Sequence, residues 1–367
     1  MDGKISNFSQ VASLRRYTLT EGVGKGLDVL DCDNGKIRFL LNVNKACDMM
    51  QLYHEGQNLS FVSKNGFTNR EIPFLNRFEG GMVYTCGLDS VGGREGYELH
   101  GTLHNTPAEI VTAKCDEEGI LVEAIVRNTA LFGKNLVLKR KIFSKRNGDS
   151  VTLEDTLVNE GYKREEYCLL YHVNVGYPML DEGAKLLLNA NSCEPRTAWA
   201  KENEATVYEM SDCIPNREEC CYFLKLKEPT ATLINKKIGK TFTLSYSGDT
   251  LPCFVEWKSM ASGDYALGLE PCTTELDDRF AYSVIKQGEE RAFSLSIRIE
   301  NIKKIGVRND GKEKSSVFGG FDHRRRWSNR RGEVFRLSLR FVKRANVRLR
   351  KKRGAIFAFV RTGTACI

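Results

Sequence analysis

The chain has 367 residues, 41% of them hydrophobic and 28% charged, with a formal net charge of +8. That length accommodates one large β domain or two ordinary ones, and the composition is that of a soluble globular protein. No run of eighteen apolar residues occurs, which excludes a membrane-spanning helix. The opening segment, MDGKISNFSQVASLRRYTL, lacks the apolar stretch of a secretory leader, so a cytoplasmic protein is expected.

Taken in chain order, the segments read as strands. Apolar and polar residues alternate over Lys36–Val43, Ile120–Val126, Asn135–Phe143, Val151–Val158, Thr241–Ser247 and Ala292–Glu300. Turn signals such as Arg146-Asn147-Gly148-Asp149 and Ser247-Gly248-Asp249 separate them. No stretch sustains a 3.6-residue apolar period over three turns. Short, numerous strands without intervening helices predict an all-β chain of large antiparallel sheets packed as a β-sandwich. No linker interrupts the body, so residues 1–302 are expected to be one domain.

From Lys303 the composition changes. Residues 303–367 hold 20 basic and 4 acidic side chains, whereas residues 1–302 hold 35 basic and 43 acidic. Runs such as His323-Arg324-Arg325-Arg326 and Arg348–Arg353 repel themselves and rarely pack, so this tail reads as a disordered extension or as foreign sequence. Clustered Arg and Lys would also suit phosphates. The acidic body does not favour nucleic acid, and no nucleic-acid-binding motif accompanies the charge.

The twelve cysteines are scattered, with one adjacent pair, Cys220 and Cys221, and no C-x-x-C. Zinc-ligand spacing is missing, and reduced thiols buried as small hydrophobes are expected. His100 and His104 are spaced i, i+4, but Gly101 and Pro107 disfavour a helix there and H-E-x-x-H is absent. No metal and no cofactor is therefore expected. The glycines of Val91–Gly96 lack a G-K-[ST] ending and read as a flexible loop. Of the other histidines in the body, His54 reads as an exposed loop residue. His172, like His100, carries an imidazole suited to proton transfer near neutral pH, or else a ring held by structural hydrogen bonds.

Three segments together resemble the aldose 1-epimerase, or galactose mutarotase-like, superfamily. The first is Asn76–Leu88 followed by Leu99-His100-Gly101. The second is Tyr171–Pro178, and the third is Val255–Pro271, ending in Gly268-Leu269-Glu270-Pro271. Their order and spacing agree with that family, and the similarity covers about residues 10–302. The match is to its poorly characterised branch with T-C-G-L, L-H-G and G-L-E-P. The resemblance implies a large antiparallel β-sandwich holding a small-molecule sugar in a cleft on one sheet, with epimerisation at C1 as the activity. It implies Glu270 as general base, His172 as acid, His100 as a hydrogen-bonding partner and Arg77 as a ligand of the sugar hydroxyls. Beside these, Trp257 is either a platform for a pyranose face or a core residue. Lys258 either binds the sugar or is solvated, and Asp48 and His104 are further substrate-binding candidates. The family's substrate-binding aspartate has no equivalent at Val255-Glu256-Trp257. A non-catalytic sugar-binding protein on the same fold is the alternative.

Overall fold

The computed structural model describes residues 3–302, together with the backbone of 347–352 and 355–360. The chain divides into two compact units, Met1–Lys304 and Ile305–Ile367. In the second, strand Val347–Lys352 pairs antiparallel with Ala355–Val360. The rest of the basic tail, and with it most of the expectation of disorder, lies outside the described residues. No helix among the described residues is long and apolar enough to cross a membrane.

The first unit is built from two antiparallel sheets, as expected of a β-sandwich. The smaller runs Ser13–Thr18, Asp28–Asp33, Ile37–Asn42, Asp48–His54 and Gln57–Asn58 in spatial order. The larger has thirteen strands. From one edge they run Ser283–Ile285, Glu165–Val175, Asp264–Cys272, Cys253–Ala261, Cys220–Asn235, Lys240–Tyr246 and Glu290–Asn301. Ser150–Asn159, Asn135–Lys145, Gly119–Thr129 and Ala108–Cys115 follow. Tyr84–Leu88 adds to Glu165–Val175, and Lys185–Pro195 to Cys220–Asn235. Each alternating segment of the sequence falls within one of these strands, give or take a terminal residue or two.

Alternation holds where one face meets the core and the other meets water. In Gly119–Thr129, Ile120, Val122, Ala124 and Val126 are buried while their neighbours are more exposed. These residues join Phe39, Leu41 and Leu52 of the small sheet and Phe242, Leu244 and Ile297 of the large one in a single core. Alternation fails in the strands Tyr84–Leu88, Glu165–Val175 and Asp264–Cys272, which are buried almost throughout. A second apolar cluster, including Cys86, Cys168, Cys221 and Cys272, covers their other face. The eleven described cysteines are all free thiols, seven of them buried, and these four serve as small apolar side chains.

One charged group sits between the sheets. Arg140, whose side chain is 0% exposed, donates to both carboxylate oxygens of Asp155 (2.9 and 2.7 Å) and to Asp48 Oδ1 (2.5 Å). Asp48 also accepts from the Thr85 backbone N–H (2.7 Å) and lies 2.6 Å from His104 Nδ1, and Tyr171 donates to Asp155 (2.7 Å). Burial favours the neutral imidazole of His104, but Glu79, 3.2 Å from Nε2, and Asp48 outweigh it and hold its pKa above the usual value.

Removing one partner from such a network strands the others without a counter-charge. Arg140→Met is expected to cost about 3–5 kcal/mol, read as a lower urea midpoint at unchanged m-value. Because the folded pKa of His104 is raised, its stabilisation is fully present below the unfolded pKa of about 6.5 and is lost as pH rises through the folded value. The stability gap between the native protein and His104→Gln should therefore narrow as pH rises, measured by urea unfolding across that range.

Candidate active site

Successive residues of a strand leave by opposite faces, and this rule assembles the site. In Glu165–Val175, Leu169, Tyr171 and Val173 enter the main core, while Cys168, Leu170 and His172 face the other way. In Asp264–Cys272, Leu267 and Leu269 enter the core, leaving Gly268, Glu270 and Cys272 on the second face. The two strands pair with Leu170 opposite Cys272 and Val173 opposite Leu269. That register sets His172 opposite Glu270, and His172 Nε2 lies 3.1 Å from Glu270 Oε1. Trp257, opposite Gly268 on the next strand, stands edge-on to His172 with ring centroids 5.4 Å apart.

These residues floor a cleft of about 680 Å³. Loops form its walls: Phe61–Asn65, Phe74 and Leu75 of the short helix Phe74–Arg77, Gly92 and Gly93, Leu99 and His100. His100 (φ +64°) and Gly101 (φ +75°) both take the left-handed backbone that turns the loop back on itself. A Cβ on Gly101 would lie 2.5 Å from the carbonyl oxygens of Gly87 and Ser90, so glycine is required there. The Gly92 N–H donates to His100 Nδ1 (3.3 Å), which leaves the ring proton on Nε2. The segment Val91–Gly96, read as a flexible loop, is thus the support of a site histidine.

Burial governs the electrostatics. Glu270 is 2% and His172 5% exposed. Burial, reinforced by Glu219 and opposed by Arg196, raises the Glu270 carboxyl well above its usual range. Burial, and then His100, lowers His172 well below its own. Burial and Arg196 push His100 down to about 4. Around neutrality His172 and His100 are therefore neutral imidazoles, and burial favours the protonated form of the Glu270 carboxyl. Glu270 Oε1 and His172 Nδ1 make no hydrogen bond within the protein. Such atoms are uncommon in protein interiors, and a catalytic role or an ordered water or ion is among the things that account for them.

His100, His172, Trp257 and Glu270 are thus brought together, and the other candidates are not. Lys258 follows Trp257 in the same strand, so it points to the opposite face, where Nζ donates to the carbonyls of Thr206 (2.6 Å) and Val207 (3.1 Å). Asp48 and His104 belong to the interior network around Arg140, and His104 stacks on Tyr84 with centroids 3.6 Å apart. Arg77 is tied to Glu98 (2.6 Å) and is not on the cleft wall. His54, read as an exposed loop residue, is 0% exposed and accepts from Lys240 Nζ (2.8 Å). The cations on the wall are Lys64, Arg196 and Arg217. Lys64 pairs with Asp264 (2.8 Å) and Arg196 makes two bonds to Asp277 (2.5 and 2.7 Å), while Glu219 accepts from Trp257 Nε1 (2.7 Å). Arg196, Arg217 and Glu219 lie in or beside the irregular segment between two strands, where no periodicity marks a residue's direction.

Two antiparallel sheets of this topology with a cleft on the larger one give the chain the galactose mutarotase-like fold. The chain belongs to the family described as "Domain of unknown function (DUF4432)", whose model matches residues 24–299. No curated protein matches the sequence. Among solved structures, a "putative aldose 1-epimerase" from Klebsiella pneumoniae is similar at 20% identity and a TM-score of 0.71, covering 79% of this chain and 84% of that one. A galactose mutarotase-like protein from Clostridium acetobutylicum is similar at 14% identity and TM-score 0.60, covering 80% and 99%. A "putative mutarotase" from Salmonella typhimurium follows at 12% and 0.59, covering 81% and 96%.

A Cβ at position 268 would lie 2.5 Å from Glu270 Oε1 and 3.0 Å from His172 Cε1, so the two side chains meet only over a bare backbone. Gly268→Ala is expected to keep the β-type circular dichroism while separating the pair, read as a change in the His172 imidazole titration by NMR.

Proposed function

We propose that this protein is a sugar isomerase of the aldose 1-epimerase type, which interconverts anomers by opening and reclosing the pyranose ring. The observation that carries the reading is the His172–Glu270 pair, 3.1 Å apart on the floor of a cleft. Opening a hemiacetal requires removal of the O1 proton and delivery of a proton to the ring oxygen. A base and an acid must stand side by side, and no net proton is consumed.

The steps follow from that inventory. As the polar sugar fills the cleft, its hydroxyls replace lost solvation and favour the ionised form of the pair. Transfer of the carboxyl proton from Glu270 to His172 gives carboxylate and imidazolium. Glu270 then takes the O1 proton while His172 protonates the ring oxygen. The C1–O5 bond breaks as the C1–O1 carbonyl forms. Rotation about C1–C2 presents the other face of the aldehyde, and the same transfers in reverse close the ring as the other anomer. His100, neutral with its proton on Nε2, donates a hydrogen bond to the sugar. The Trp257 indole offers an apolar face to the C–H face of the pyranose. The cleft volume lies within the usual range for small-molecule sites, about 300–1,000 Å³.

Polarimetry and exchange NMR with a panel of aldoses test the proposal. Glu270→Gln and His172→Ala should each lower the acceleration by about 10²-fold or more, as expected for positioned proton-transfer groups. Failure of the intact protein to accelerate the mutarotation of any aldose would overturn it.

A further inference from the structure

The Glu256 and Lys258 side chains form a buried acid–base pair, in which burial pushes the Glu256 carboxyl up to about 7, on the core side of the strand whose opposite face carries Trp257. Glu256 is fully buried, neither of its oxygens has a hydrogen-bond partner, and Lys258 Nζ lies 3.7 Å from Oε1. A lone buried pair of this kind costs free energy to desolvate, and a hydrophobic pair of similar volume would be at least as stable. Its role is better sought in what the ammonium holds. Lys258 Nζ donates to the carbonyls of Thr206 and Val207, at the end of the 3-10 turn Glu204–Thr206. Thr206 is fastened in turn to Asn203, through its backbone N–H (2.9 Å) and its hydroxyl (2.8 Å), both to the Asn203 carbonyl. The Asn203 side-chain oxygen accepts from Arg217 Nη2 (3.1 Å), and Arg217 stands on the cleft wall.

We propose that Lys258 is a positioning residue: it fixes residues 203–207, and through Asn203 it aims the Arg217 guanidinium into the cleft. Arg217 has no carboxylate partner among the described ion pairs, so its remaining N–H donors are available to a bound molecule. Lys64 and Arg196, in contrast, are each held by an aspartate. Position 258 thus acts on the ligand through a relay of three hydrogen-bonded steps from behind the sheet. The reacting pair, His172 and Glu270, sits on other strands and is untouched by the relay. The functional consequence, though not the relay itself, rests on the sugar-isomerase reading.

The test uses the full chain with Glu256→Gln and Lys258→Met together, which removes both charges and leaves neither buried alone. Amide hydrogen exchange reads the relay without reference to activity. Protection over 203–217 should fall while that of Glu165–Val175 and Asp264–Cys272 is kept. Unchanged protection over 203–217, or loss spread evenly over all three segments, would overturn the relay. With the aldose that the intact protein accelerates most, the double variant should raise KM about 10-fold, as for loss of a charged hydrogen bond, with kcat within about 2-fold. Arg217→Ala should do the same, and the three changes combined should do no more than either. KM effects that multiply would show that Lys258 does not act through Arg217. Absence of any acceleration by the intact protein would sink the isomerase reading and leave the exchange result to decide the relay.

Discussion

The site depends on one geometric constraint: in a pleated strand the side chain of residue i and that of i+1 cannot share a face. His172 and Glu270 meet because each is one step out of phase with a run of core residues, Tyr171 and Val173 on one strand and Leu269 on the next. The pairing register then makes them neighbours across the ladder. A slip of either strand by one residue would bury the imidazole or the carboxyl in the main core and turn Tyr171 or Leu269 into the cleft. The apolar burial on the far face, worth about 1.5–3 kcal/mol for each large side chain, forbids that slip. Hydrophobic packing on one side of the sheet thereby sets the polar geometry on the other.

Buried titratable groups are satisfied to different degrees in this interior. Around Arg140 every strong donor and acceptor is met: two aspartates, a threonine and a tyrosine satisfy the guanidinium or one another. Such an arrangement is rigid and chemically inert. At His172 and Glu270 the same degree of burial comes with unmet polar atoms, and desolvation drives the pair to its neutral form. The difference between complete and incomplete pairing separates Asp48 and His104, which hold the sheets together, from the groups on the cleft floor.

The strand content and the sandwich were legible in the sequence because the peripheral strands alternate cleanly between core and water. Glu270 was harder to place. The following Pro271 suggests a loop, yet the strand runs through to Cys272. The central strands, buried on both faces, carry no alternation by which to read direction. The direction of Lys258 was nonetheless written in the chain. With Trp257 toward the cleft, its neighbour cannot be there too. Asp48 and His104 lay beyond such reasoning, since Arg140 is 92 residues from Asp48, and Asp48 is 56 residues from His104. Arg196, Arg217 and Glu219 come from a stretch whose course is set by tertiary contacts alone. The glycine-rich Val91–Gly96 could be recognised as a loop, but not as the prop beneath His100.

The hydrogen bond from Tyr171 to Asp155 has a mechanical consequence. The residue beside His172 is pinned from behind to the same carboxylate that grips Arg140, so the backbone under the imidazole is clamped before any ligand arrives. The surrounding loops lack that tie to the Arg140 network, so the floor is the anvil of the cleft and the loops are its softer walls.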